Sequence, residues 1–177
     1  GGSTLAIFGQ GPVGLSATMF GKSMGLKVIA IDISADRLNL SRTFGADELI
    51  DPTSEDPIEI LHQMTGGVGV DYALECSGQP SARQKAVRST RTWGTTCFVG
   101  EGKDVTLDVS SDILRRQLTL IGSWTFNTGG QEECAKFVSK HNVPVKALFT
   151  HRYSQNEAEE AYQLFDTQTT GKGVFTF

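Results

Sequence analysis

The chain has 177 residues, a formal net charge of −4, 38% hydrophobic residues and 20% charged residues. This length and composition are typical of one folded domain with a substantial core, and they argue against a disordered chain. The chain has no basic cluster, no apolar run of membrane-spanning length and no leader of charged and then apolar residues, so we expect a cytoplasmic protein that binds neither nucleic acid nor membranes.

The first predicted elements are a strand, a glycine-rich turn, a helix and a second strand. An apolar run over residues 5–8 precedes the segment Gly9-Gln10-Gly11-Pro12-Val13-Gly14, and small and apolar residues alternate over residues 15–24. A second apolar run, residues 28–31, ends at Asp32. Strand, glycine turn, helix, strand and acid form the order that a dinucleotide-binding βαβ unit requires.

Each glycine of this turn has a separate predicted task. Gly9 permits the tight turn, Gly11 lets the backbone approach a pyrophosphate, and Gly14 lets the helix pack close to the sheet. Pro12 suits the first turn of a helix, where its missing N–H would have no partner. Together with Val13, these residues form the N-terminus of a helix, whose free N–H groups and positive dipole end favour phosphate.

Asp32 lies 18 residues after Gly14, near the spacing expected for a carboxylate that binds the adenosine ribose hydroxyls. A carboxylate there repels a 2′-phosphate, so the sequence favours NAD over NADP. Ile33 follows it and supplies no guanidinium for that phosphate. We place Ile33 and Arg37 at the cofactor as well, although Arg37 also fits a solvated charge on a helix face.

Strands and helices alternate through the rest of the chain, which predicts an α/β fold. We expect a doubly wound parallel sheet with helices on both faces, in three layers α/β/α, joined by right-handed crossovers. Ser154 and Glu157 have capping-box spacing before the last helix. The predicted helices cover residues 35–44, 56–64, 80–90, 112–116, 131–141 and 156–165, and the predicted strands cover residues 48–51, 70–76, 95–99, 118–121, 149–153 and 174–177.

The remaining polar and sulfur-containing residues predict no further site. The charges on the predicted helix at residues 80–90 are interpreted as a solvated helix face. Cys76 and Cys97 lie in apolar strands and are expected to be small buried hydrophobes in a reducing compartment. No metal site is expected, because the cysteines and histidines lack metal-binding spacing. The charged residues of that helix face are Arg83, Lys85, Arg88 and Arg91. The cysteines are Cys76, Cys97 and Cys134, and the histidines are His62, His141 and His151.

Taken in order, the motifs resemble the cofactor-binding domain of the medium-chain dehydrogenase/reductase family, the zinc-type alcohol and polyol dehydrogenases. The resemblance covers nearly the whole chain. Its pieces are Gly9 to Gly14, Ile31-Asp32 with Arg37, Phe44-Gly45-Ala46-Asp47, Gly69-Val70-Asp71-Tyr72, Glu75-Cys76-Ser77-Gly78, Phe98-Val99-Gly100, Leu120-Ile121-Gly122-Ser123, Phe149-Thr150-His151-Arg152-Tyr153 and Gly171-Lys172-Gly173.

The resemblance implies a six-stranded Rossmann-type sheet over residues 1–149, with NAD laid across the carboxyl ends of the strands. Residues 150–177 would be a β-α-β return segment that packs against a catalytic domain. That domain precedes this one in the family and holds a catalytic zinc, which this chain would lack. The parent enzyme would oxidise an alcohol by hydride transfer to NAD. Because the chain begins at Gly1, we interpret it as an excerpt, a processed product or a trimmed form, able to bind NAD(H) but inactive alone.

The resemblance also implies contacts from residues that follow later strands. The matching positions are Cys76 and Ser77, then Val99 and Gly100, then Thr125, and finally Lys172. Cys76 and Ser77 would line the adenine side. Val99 and Gly100 would offer backbone groups to the nicotinamide carboxamide. Thr125 would complete that carboxamide site, and Lys172 would lie near the pyrophosphate. Each position also fits an ordinary role in a strand, loop or interface.

Two further expectations concern assembly and function. The strand at residues 118–122 should form a sheet edge that pairs across a homodimer axis. Besides half of a dehydrogenase, the chain could be a stand-alone NAD-binding module or a redox sensor. A zinc-free quinone or enoyl reductase is a third interpretation. Such enzymes usually prefer NADP and carry a basic residue after the second strand, so the acid Asp32 argues against it.

Overall fold

The structure is a computed structural model that describes residues 2–167 and 171–177. Its larger sheet has six parallel strands in the order β3-β2-β1-β4-β5-β6. The chain therefore starts in the middle of the sheet, builds outward to β3, crosses back to β4 and builds outward again to β6. The strands are β1 (Thr4–Phe8), β2 (Lys27–Ile31), β3 (Glu48–Ile50), β4 (Val70–Glu75), β5 (Thr90–Phe98) and β6 (Thr119–Gly122).

Helices cover both faces of this sheet, as the alternation of apolar residues in the strands requires. Side chains alternate between the two faces of a strand, so Phe8 belongs to one buried cluster and Ile7 to the other. The first cluster packs against α3 and α4, and the second against α1 and α2. The helices are α1 (Pro12–Ser23), α2 (Ala35–Thr43), α3 (Pro57–Met64), α4 (Pro80–Ser89) and α5 (Thr128–His141). The predicted α/β class, the parallel sheet and the helices on both faces are confirmed.

The C-terminal part forms a small parallel sheet of its own. It contains β7 (Phe149–Tyr153) and β8 (Lys172–Phe175), with α6 (Ala158–Asp166) between them in sequence. Ring contacts at 6.3 Å join Phe175 to Tyr153 and to Tyr162, so aromatic side chains form the centre of this unit. The predicted capping box is present, since the Ser154 hydroxyl accepts from the Glu157 N–H and the Glu157 carboxylate accepts from the Ser154 N–H. The described part of the chain contains no helix that is long and apolar enough to cross a membrane.

Several element boundaries differ from the sequence prediction. β5 begins at Thr90 rather than at residue 95, because an irregular stretch with Trp93 at a φ of 60° lets the strand start early. In place of a helix at residues 112–116 there is a π-helix, Val109–Leu114, which starts after Asp108 because that carboxylate accepts hydrogen bonds from the N–H groups of Ser110 and Ser111. β8 ends at Phe175 rather than at residue 177.

Candidate functional site

The glycine-rich turn lies at the carboxyl end of β1, in the middle of the sheet. Gly9 has a φ of 93°, a conformation that favours glycine, and its N–H donates to the Ile31 carbonyl at 2.8 Å. A Cβ at Gly14 would lie 1.8 Å from the Gly9 carbonyl oxygen, so α1 packs directly on the turn. A Cβ at Gly11 would meet no atom within 4 Å. There is therefore no space for a side chain at Gly14, whereas Gly11 borders open space.

The N-terminus of α1 presents unpaired donors beside this open space. Leu15 donates its N–H to the Gly11 carbonyl and so begins the helical hydrogen bonds. Among the described residues, nothing accepts a hydrogen bond from the N–H groups of Gly11, Val13 or Gly14. Free N–H groups at a helix N-terminus form an anion-binding site, which the helix dipole strengthens.

The Gln10 side chain holds the turn in place through buried hydrogen bonds, a role that the sequence motif did not predict. Its side chain is fully buried, donates to the Ile7 carbonyl at 3.2 Å and accepts from the Thr18 hydroxyl at 3.0 Å. These contacts join β1 to the second turn of α1. The signal in the sequence was a polar residue between two glycines, together with a threonine that faces it from the helix.

Asp32 ends β2 and is held by backbone donors. Its carboxylate accepts from the Gln10 N–H at 2.5 Å and from the Ser34 N–H at 2.9 Å, and the residue is only 6% exposed. The nearest Arg37 nitrogen is 3.9 Å from a carboxylate oxygen. Since a carboxylate offers about four acceptor positions, Asp32 keeps acceptor capacity after these contacts. It is oriented to accept further hydrogen bonds from a ligand.

These residues line one cleft with a volume of about 430 Å³. Its walls come from the ends of β1, β2 and β4, from the first turns of α1 and α4, and from Phe165 and Gly171 of the C-terminal part. Eight of the 14 candidate residues line it: Gly9, Gly11, Pro12, Asp32, Ile33, Arg37, Cys76 and Ser77. The strand order explains why these residues lie close together. β1 is hydrogen-bonded to both β2 and β4, and the order of the strands reverses at this point of the sheet.

The loops after β4 and β5 are joined by one buried ion pair. Glu75 is fully buried and accepts hydrogen bonds from Ser77 and Gly78, while Arg83 Nε lies 3.6 Å from its carboxylate. Arg83 also donates to the Gly100 carbonyl at 2.7 Å and to the Lys103 carbonyl. A Cβ at Gly100 would lie 2.4 Å from the Gly78 nitrogen, so the two loops are in direct contact.

The comparisons with known proteins agree with this geometry. Residues 12–141 match the family described as zinc-binding dehydrogenase. This chain belongs to the zinc-binding dehydrogenase family. The family resemblance and the fold that it implied are confirmed.

Three family relatives show how much of the family fold is covered. The uncharacterized zinc-type alcohol dehydrogenase-like protein YphC of Escherichia coli K12 is 34% identical over 100% of this chain and 50% of its own length. The L-threonine 3-dehydrogenase of Symbiobacterium thermophilum is 31% identical over 97% of this chain and 50% of its own length. The crystal structure of an alcohol dehydrogenase of Thermotoga maritima superposes with a TM-score of 0.90 at 26% identity, covering 98% of this chain and 50% of that one. This zinc-binding dehydrogenase chain thus spans about half the length of the curated relatives that it matches.

The other six candidate residues of this dehydrogenase chain do not line the cleft. Gly14 lies beneath the turn, and Val13 is 51% exposed in the first turn of α1. Thr125, after β6, and Lys172, at the start of β8, are both exposed. The remaining two are Val99 and Gly100.

Val99 and Gly100 have most of their backbone groups already in use. Both N–H groups donate to the Glu75 carbonyl at 2.9 Å, and the Gly100 carbonyl accepts from Arg83. Within the described residues, the Val99 carbonyl is the one of these four groups without a recorded hydrogen bond. A backbone contact from this pair to a ligand would therefore come from that carbonyl oxygen.

The predicted solvated face on α4 is wrong for Arg83, whereas Arg88 and Arg91 form ion pairs at partly exposed positions. Arg83 reaches the buried Glu75, and Arg88 pairs with Asp112 at 3.1 Å. Arg91, just after the helix, pairs with Asp71 at 2.7 Å. Lys85 lines the cleft instead of facing open solvent. The partners of these charges lie on other strands or on the π-helix, so the helical pattern alone could not predict the contacts.

Cysteine and metal chemistry add little to this site. Burial, together with the charge of the neighbouring Glu75, raises the pKa of the Cys76 thiol to about 12, so the thiol stays protonated near neutral pH. Cys76 can therefore line the cleft without acting as a nucleophile. Over residues 2–167 and 171–177 there is no group of three or more His, Cys, Asp or Glu side chains that could hold a metal ion. These residues do not fit a zinc ion, and no chemical step through zinc is derived from them.

Proposed function

We propose that this chain is the NAD(H)-binding half of a zinc-type alcohol or polyol dehydrogenase. The observation that carries the proposal is the pairing of free N–H groups at the start of α1 with an oriented carboxylate, Asp32, in one cleft. The residues fit a dinucleotide because Gly11 leaves open space where a side chain would otherwise project. By itself the chain binds the cofactor and does not turn over an alcohol.

Each part of the cleft binds a different part of the dinucleotide. The N–H groups of Gly11, Val13 and Gly14 receive the pyrophosphate at the positive end of α1. Asp32 accepts hydrogen bonds from the adenosine ribose hydroxyls and repels a 2′-phosphate, which favours NAD over NADP. Ile33 and Arg37 contact the adenosine on the same side. When bound, NAD exchanges a hydride at its nicotinamide ring.

The second half of the cofactor lies toward β5 and β6. The Val99 carbonyl accepts from the nicotinamide carboxamide, and Thr125 contacts the same group from the segment after β6. Gly100 shapes the backbone there, and Lys172 approaches the pyrophosphate from the C-terminal part. Cys76 and Ser77 line the cleft on the adenine side. The loop after β4 is held by the Glu75 carboxylate, which accepts hydrogen bonds from the Ser77 N–H, the Ser77 hydroxyl and the Gly78 N–H.

The activity of the whole protein requires residues outside this chain. The family name and the half-length coverage of the relatives support a zinc-bearing catalytic domain in the complete enzyme. Residues 1–149 then form the cofactor domain, and residues 150–177 return to contact the catalytic domain. We also propose that two copies pair through β6, the edge strand, where Ile121 is 45% exposed. The cytoplasmic location stays a prediction.

Calorimetry with NADH tests the central assignment. Asp32→Ala should weaken NADH binding at least tenfold, because the ribose loses its acceptor and a hydrogen bond to a charged group contributes about 1.5–3 kcal/mol. Asp36→Asn removes a nearby exposed carboxylate on α2 and is the matched control, with affinity within about twofold of the parent. If Asp32→Ala binds NADH as tightly as the parent, Asp32 does not contact the ribose.

A further inference from the structure

One face of α4 lines the cleft at the carboxyl ends of β1, β2 and β4. Ser81, Ala82 and Lys85 all line the cleft, and their spacing places them on the same side of the helix. Ala82 packs against a buried cluster that contains Phe8 and Ile31, which end β1 and β2. Lys85, less than one turn beyond Ala82, therefore lines the same cleft as Asp32, which ends β2.

Lys85 has no partner for its ammonium group. The residue is half-buried, and within the described chain no hydrogen bond or ion pair is recorded for its side chain. Its neighbours on α4 differ, since Arg83 pairs with Glu75 and Arg88 pairs with Asp112. An ammonium carries three donors and is strongly hydrated in water. A lysine that lines a cleft without an acceptor is available to a ligand.

The connectivity of a dinucleotide indicates which part of the ligand reaches Lys85. The pyrophosphate lies at the start of α1 and the ribose at Asp32, so the base must continue past Asp32, away from the turn. The cleft residues there include Ile33, Pro52 and Ala82, which are apolar and suit the faces of a planar ring. An adenine ring presents acceptor nitrogens along its edge, and Lys85 is the cation that α4 contributes to this part of the cleft.

We propose that Lys85 recognises the adenine base of NAD(H) by donating a hydrogen bond from its ammonium to a ring nitrogen. The assignment rests on the proposed function, because it takes the ligand of the cleft to be a dinucleotide. It makes Lys85 a specificity-determining residue for the base, in addition to the ribose recognition by Asp32. A 2′-phosphate is the other group that this ammonium could bind, but Asp32 opposes a phosphate at that end.

The test compares Lys85→Met with Lys140→Met, which removes the same charge from an exposed position on α5. Binding of NADH, ADP-ribose and reduced nicotinamide mononucleotide is measured by calorimetry on the full chain. Lys85→Met should weaken NADH and ADP-ribose by about tenfold. The mononucleotide, which lacks adenosine, should change by less than twofold, and Lys140→Met should match the parent for all three ligands.

Base analogues separate recognition from a general effect on the cleft. The 1-deaza, 3-deaza and 7-deaza analogues of ADP each replace one ring nitrogen by C–H. One of them should bind the parent about tenfold more weakly than ADP, and Lys85→Met should not distinguish that analogue from ADP. Lys85→Arg, which keeps a donor, should retain part of the discrimination.

The outcomes distinguish this inference from the proposed function. If the parent binds NADH and Lys85→Met binds it equally well, the role of Lys85 is overturned and the cofactor assignment stands. If Lys85→Met loses NADPH affinity more than NADH affinity, the ammonium serves a phosphate and the adenine assignment is overturned. If the parent binds neither NADH nor ADP-ribose, the proposed function fails and this inference fails with it.

Discussion

Two glycines of the first turn have opposite surroundings, although both belong to one short motif. Gly14 has no room for a methyl group, because a Cβ would lie 1.8 Å from the Gly9 carbonyl oxygen. Gly11 has open space at the same position and a φ of −67°, which any residue adopts. The fold thus requires glycine at position 14, whereas position 11 has space for a side chain.

Alanine substitutions should distinguish these two positions. Gly14→Ala should lower the free energy of unfolding by about 3 kcal/mol, because α1 must move away from the turn. Gly11→Ala should change it by less than about 1 kcal/mol, yet weaken NADH binding tenfold or more, because the methyl group occupies the pyrophosphate position. Urea denaturation and NADH titration of both variants measure the contrast. Normal NADH affinity in a folded Gly11→Ala variant would contradict a phosphate site there.

At the scale of elements, one ion pair holds α4 and the loops after β4 and β5 together. Glu75 is fully buried, and Arg83 is its cationic partner within the described residues. Arg83→Met should therefore destabilise the fold by about 3 kcal/mol, since it leaves a buried carboxylate without its cationic partner. The double variant with Glu75→Gln should cost less than the sum of the two single changes. A double-mutant cycle in urea measures the coupling, and strictly additive costs would show that the pair does not act as a unit.

A second carboxylate joins the starts of three strands. Asp71 accepts from the Thr4 N–H at 2.7 Å and pairs with Arg91 at 2.7 Å. Burial opposes ionisation, but these hydrogen bonds and the guanidinium outweigh it and hold the pKa of Asp71 below its ordinary value of 3.8. The folded state therefore favours the charged carboxylate, and Asp71 joins β4 to both β1 and β5.

This lowered pKa predicts how stability depends on pH. The contribution of Asp71 is fully present above its ordinary value of 3.8 and is lost as the pH falls through the lowered value of the folded state. At pH 7, Asp71→Asn should lower the free energy of unfolding by about 1–2 kcal/mol. The difference from the parent should shrink steadily below pH 4. Urea titrations from pH 2.5 to 7 test this, with the exposed Asp104→Asn as a control that stays close to the parent throughout.

The elements also show which features a sequence can predict. β1, α1 and β2 follow from local patterns, because apolar runs and a glycine turn specify them within about thirty residues. The contact between Lys85 and the cleft could not be read in the same way, since it depends on which strands α4 covers. The early start of β5 depends on the backbone at Trp93, and the π-helix depends on a side-chain cap from Asp108. The position of Lys85 depends on tertiary packing, whereas the Asp108 cap is a local interaction.

At the scale of the whole molecule, the cleft and the exposed apolar side chains lie in different parts of the sheet. The cleft is built at the middle strands, where the chain reverses direction. The exposed apolar side chains near the far edge include Ile121 of β6, together with Trp124 and Phe126 just after it, and the last two are 68% and 73% exposed. Contiguous apolar surface on a folded protein marks an interaction site. The fold therefore separates the cleft from this exposed apolar surface.

The edge strand should pair with a second copy of the chain. Within the described residues β6 has a strand neighbour on one side only, which leaves backbone donors and acceptors open on the other. Ile121→Lys places a charge at this edge and should convert a dimer to a monomer in sedimentation velocity, with a change in unfolding free energy below about 1 kcal/mol. Val68→Lys, at a 59% exposed position before β4, should leave the dimer intact. A parent chain that stays monomeric at 100-fold higher concentration than the binding assays, or a dimer that survives Ile121→Lys, would show that β6 does not form the interface.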